Sequence, residues 1–145
     1  MPYPKPEPGL VIGYSYLWSV ESGQGQVEGL KDRPCAIVLS VRNDEGEQIV
    51  TLVPITHTQP SNPEVAIEVP QPTKQRLGLG DERSWIVLSE YNQFVWPGPD
   101  LRPIPRSHND QYHYGFLPPK LFDQLKKKLL EQIREQQVQA ITRTE

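Results

Sequence analysis

The sequence predicts a mainly β domain, a small antiparallel barrel or sandwich with one C-terminal helix packed on it. Three observations carry this. Five or so short apolar segments, rich in β-branched residues, are separated by Gly, Pro and Asn turns. No strand–helix–strand rhythm interrupts them. One apolar stripe at helical spacing follows them all. The 145 residues suit a single domain, with a Pro-rich arm over 1–8, the domain over 9–136 and a polar tail over 137–145.

Pro2, Pro4, Pro6 and Pro8 favour a stiff polyproline II arm. Gly9 to Trp18 (GLVIGYSYLW) reads as a strand, with Gly13 marking a bulge. Residues 19–32 hold three glycines and few large apolar groups, which predicts a loop of a length that is often functional. Arg33-Pro34 opens a second strand to about Val41. Asn43 to Gly46 turns the chain, and Gln48 to Ile55 returns as a third strand. Thr56 to Asn62 is a polar loop, and Glu64 to Val69 alternates as a half-buried strand. Residues 73–83 read as polar loop. Trp85 to Leu88 is another buried strand, leading into Ser89 to Phe94. Residues 96–115 are Pro-rich and predict loop, with an extended piece near Leu101 to Ile104. Pro118-Pro119 suits a helix start. Leu121, Leu125, Leu129 and Ile133, with Phe122, then form one apolar face, and Lys126 to Lys128 a solvated one.

Composition narrows the function. Leu, Ile, Val and Phe supply 38 residues, enough for a core despite 16 prolines. No apolar run approaches a membrane span, and no charged-then-apolar leader is visible, which predicts a cytoplasmic protein that avoids membranes. The net charge is −3, so no broad basic footprint advertises non-specific nucleic-acid binding. A lone cysteine, Cys35, in an apolar run reads as a core residue. His57, His108 and His113 lack the spacing of metal ligands, so neither a metal nor another cofactor is expected.

Polar groups gather instead where strands end. Arg33 begins strand two, Thr56, His57 and Thr58 follow strand three, and Glu90 and Gln93 follow Trp85. Converging under the 19–32 loop, such groups suit phosphodiester chemistry without metal. An arginine fork and a hydroxyl would hold the phosphoryl oxygens, and His57 or Glu90 would take a 2′-proton. The alternative is structural: Arg33 pairs with Glu28 or Asp32, Thr56 caps a turn and His57 is merely exposed.

The motifs themselves resemble a known family. Pro8-Gly9 precedes an apolar strand, followed by Arg33-Pro34-Cys35-Ala36-Ile37-Val38-Leu39-Ser40, Val53-Pro54-Ile55-Thr56, Pro63-Glu64-Val65 and a closing Leu117 to Leu130. This order is similar to that of the MazF/PemK/Kid toxins over about residues 8 to 135. The resemblance implies an SH3-like barrel with a C-terminal helix, usually a two-fold homodimer. It implies the toxin of a type II toxin–antitoxin system, a growth inhibitor cleaving single-stranded mRNA without metal to leave a 2′,3′-cyclic phosphate and a 5′-hydroxyl. The implied partner is a cognate antitoxin. Arg33 and Thr56 match the family's R-P and P-I-T positions, and Glu28 matches a loop glutamate of some members. Glu90 keeps an acidic position, Tyr91 replaces a glutamine, and Gln93 stands where an arginine is common. The expected catalytic set is thus Arg33, Thr56, Glu90 and His57, with Arg102 as a substitute. Glu28, Thr58 and Gln93 are expected to contact RNA. Two other readings stay open: a catalytically degenerate binding or regulatory member, and an unrelated adaptor using the Pro-rich arm with Trp18, Trp85 and Trp96.

Overall fold

Period-two alternation with apolar residues on both sides makes a strand that is buried on both faces, and the central strands of this protein are of that kind. The computed structural model describes residues 3–18, 32–104, 111–135 and the backbone of 139–142. Strands β1 (Leu10–Ser15), β2 (Asp32–Arg42) and β3 (Gln48–Thr56) form an antiparallel meander, with Val11 opposite Ala36 and Ala36 opposite Val53. β4 (Ala66–Glu68), β5 (Trp85–Val87), β6 (Glu90–Val95) and β7 (His113–Phe116) extend the sheet, which curls into a half-barrel. Helix α1 (Gln71–Leu77) lies between β4 and β5, and helix α2 (Pro119–Arg134) follows β7. The mainly β architecture with a C-terminal helix is therefore as the sequence predicts.

Two apolar clusters result. One holds Val11, Ala36, Val53, Ile55 and Ile86 together with Leu121, Leu125 and Leu129 of α2. Each such leucine contributes about 1.5–3 kcal/mol on burial. The other, on the opposite face, holds Ile12, Tyr14, Tyr16, Cys35, Ile37, Leu52 and Phe94. Asn43 closes the β2–β3 turn by accepting from the Glu45 and Glu47 amides, and Gly46 supplies the positive φ there.

Several elements differ from expectation. Gln71–Leu77 is helical, because Thr73, Lys74 and Leu77 bury one side and Gly78 caps the end at φ 71°. β7 forms within the Pro-rich stretch by pairing with β1, with a register shift between Val11 and Ile12. Within the tail, Gln139–Thr142 forms β8, which pairs with β6 in parallel, so the sheet is not wholly antiparallel and the helix is not the last element. Ile133 is exposed and Gln132 takes the buried position. Lys128 is no solvated group either: its Nζ donates to the Ala66 carbonyl at 3.1 Å and ties α2 to β4. The expected 19–32 loop lies, but for Asp32, outside the described residues. No helix among those described is long and apolar enough to cross a membrane.

Gly13 is needed for close approach. Its amide donates to Tyr112 and its carbonyl accepts from Arg102, each at 2.9 Å, so chain crosses β1 tightly here. A Cβ would collide with the Arg102 carbonyl oxygen. Gly13→Ala is expected to cost about 2–3 kcal/mol, read as a lower urea midpoint at unchanged slope.

Candidate functional site

Where β2 begins and β3 ends, the strands open a groove of about 1540 Å³. That exceeds the roughly 300–1,000 Å³ of a small-molecule pocket and suits a longer ligand. Arg33, Thr56, His57 and Thr58 all line it, with Trp18, Lys74 and Tyr114. The sheet explains the first two. Cys35 pairs with Pro54, and two further steps along each strand set Arg33 opposite Thr56 on the same face. Trp18 lies under Arg33, with its ring centroid 5.0 Å from Cζ. Apart from that stack the guanidinium meets no acceptor among the described residues, and its buried Nε–H is unpartnered. The Asp32 carboxylate goes to Arg102 at 3.5 Å rather than to Arg33. Arg102 also donates to the Pro99 carbonyl at 2.7 Å, and it does not line the groove.

Thr56 Oγ1 accepts from the Thr58 amide at 3.1 Å, so Thr56 does cap a turn. Its own hydroxyl hydrogen remains available to a ligand. His57 is exposed, as the structural alternative has it, but its ring is also held in place. Its Nδ1 lies 3.0 Å from the Arg83 carbonyl and 3.1 Å from Ser84 Oγ, with Glu82 Oε2 at 3.7 Å. A carbonyl only accepts, so Nδ1 carries the hydrogen and Nε2 carries the lone pair. The Ser84 hydroxyl in turn donates to the Glu82 carbonyl at 3.3 Å. Tyr114 has its phenol pushed up to about 12, first by burial and then by Cys35 and Asp32, so it stays a neutral donor.

Glu90 and Gln93 do not join this groove. They are three residues apart on β6 and therefore face opposite sides of the sheet. Glu90 is buried beside the second cluster and accepts from the Tyr16 hydroxyl at 3.3 Å. Burial, then the Glu90 carboxylate, holds that phenol protonated. Gln93 donates to Thr51 Oγ1 at 3.1 Å. Glu28 lies outside the described residues.

Reasoning from sequence missed Lys74, Glu82 and Ser84. Lys74 comes from the unforeseen helix, and Glu82 and Ser84 reach His57 only through the fold. Among the described residues no three His, Cys, Asp or Glu side chains gather to hold a metal ion. Arg33, Thr56 and His57 thus offer a cation, a hydroxyl donor and an oriented base, a set fitted to an anionic ligand with an acidic proton. The chain matches no family model, and no curated protein is significantly similar to it.

Proposed function

We infer that the protein is a MazF/PemK-like toxin, an endoribonuclease that cuts single-stranded RNA without a metal ion. One juxtaposition carries this reading: Arg33, Thr56 and an Nδ1-protonated His57 line one groove. In the reaction the ribose 2′-oxygen bonds to phosphorus as the P–O5′ bond breaks. His57 Nε2 takes the 2′-proton, and the departing 5′-oxygen takes one from solvent in the open groove. Arg33 and the Thr56 hydroxyl hold the phosphoryl oxygens while charge grows on them. The products are a 2′,3′-cyclic phosphate and a 5′-hydroxyl. A cognate antitoxin covering the groove and a second copy of the chain are the partners this reading implies.

Long single-stranded RNA incubated with the purified protein in EDTA is expected to give discrete fragments with those ends. His57→Gln should slow cutting by about 10²–10⁴-fold, the usual worth of a placed base. RNA that stays intact at high protein concentration overturns the nuclease. The second reading, a binding protein without cleavage, is favoured by one observation: neither Glu90 nor Gln93 lines the groove, so β6 supplies no proton donor there. Saturable RNA binding without fragments would establish it.

A further inference from the structure

Lys74 is a charged residue on the inner side of a short helix, only 3% exposed, yet it lines the groove. Its Nζ donates to the Glu82 carbonyl at 2.9 Å. Its other two N–H groups meet no acceptor among the described residues. The nearby acids are otherwise engaged. Glu68 is forked by Arg83 at 2.8 and 2.9 Å, and Arg83 first, then the Lys74 charge more weakly, hold its carboxyl below the usual range. Glu82 turns its carboxylate to His57, and Asp32 goes to Arg102. Asp81 lines the groove, but as an exposed group that remains hydrated.

A buried ammonium whose one acceptor is neutral, and whose acidic neighbour Glu68 is already forked by Arg83, is costly, and an anion in the groove would add compensation. Bracing the Glu82 carbonyl needs only a neutral donor, and among the described residues the fold answers the charge only through Glu68, which Arg83 already pairs. Arg33 on β2 and Lys74 on α1 are the two permanent cations among the described groove residues. A polyanion laid along the groove would meet both.

We propose that Lys74 is a second phosphate subsite, binding a backbone phosphate of single-stranded RNA other than the one held by Arg33. This subsite rests on the ribonuclease reading for its ligand. The test uses a short, fluorescent, fully 2′-O-methylated RNA, which lacks the nucleophile and so reports binding alone. Anisotropy is followed across a salt titration for the wild type, Lys74→Gln and Lys74→Arg. Lys74→Gln should weaken binding about tenfold or more. It should also flatten the slope of log K against log salt by about 0.7, the value of one phosphate contact on a single strand. Lys74→Arg should keep the slope. A merely bracing lysine would change affinity without changing the slope.

In the wild-type protein, which needs no substitution to fold, the Lys74 Nζ resonance should shift on adding the same RNA. Binding with an unchanged slope in Lys74→Gln, or an unmoved Nζ resonance, overturns the subsite alone. Binding with the flattened slope but no cutting of unmodified RNA supports the subsite while the nuclease falls. No saturable binding by the wild type overturns both.

Discussion

Arg33→Ala is expected to abolish RNA cutting while leaving the fold intact. The guanidinium makes no hydrogen bond among the described residues, so its removal orphans no polar group among them. What the fold loses is a stack on Trp18, worth about 0.5–1 kcal/mol. For a chain of this size that is roughly 2–3 °C in melting temperature. What the reaction loses is a preorganised charge at the phosphoryl oxygens, worth about 10²–10³ in rate. Single-turnover cleavage in EDTA beside a thermal melt separates the two effects. Arg33→Lys should recover part of the rate, since it keeps the charge but not the planar fork. Cutting by Arg33→Ala at the wild-type rate would remove Arg33 from the chemistry and the proposed mechanism with it.

The parts of this molecule that sequence reading finds are those whose pattern is local. The runs AIVL and IVTLV announce β2 and β3, and Leu121, Leu125 and Leu129 announce α2, because burial imposes periods that neighbouring residues display. Helix α1 displays no such pattern. Over seven residues with Pro72 near its start, Thr73 and Leu77 are too few to mark a face, and tertiary packing makes the helix. β7 and β8 are likewise short segments whose partners, β1 and β6, lie far away in sequence.

The same distinction runs through the groove. Arg33 and Thr56 are legible because both terminate strong strands. Lys74 and Ser84 are not, because an unforeseen helix brings Lys74 to the groove and a turn brings Ser84 to His57. Glu90 and Gln93 lie three apart on one strand, and residues so spaced cannot share a face, so one groove cannot hold both.

Asn92→Ala is expected to cost both stability and activity, and it differs from Arg33→Ala in that respect. β1 ends at Ser15, after which Tyr16 to Trp18 leave the ladder. The Leu17 backbone is served there by a side chain. Asn92 Oδ1 accepts from the Leu17 amide at 3.0 Å, and Nδ2 donates to the Leu17 carbonyl at 2.9 Å. Both residues are buried, so no solvent replaces those bonds. Alanine would orphan an amide and a carbonyl, at about 1–3 kcal/mol each. A total near 4 kcal/mol corresponds to roughly 13 °C in melting temperature. The next residue is Trp18, the platform under Arg33, so a loosened Leu17 also frees the guanidinium. Asn92→Asp tests the geometry further, because it keeps one acceptor but turns a second, charged one toward the Leu17 carbonyl. It should be no more stable than the alanine variant. An Asn92→Ala protein that melts with the wild type would mean that Leu17 finds other partners, and that Trp18 keeps its place without the Asn92 bonds.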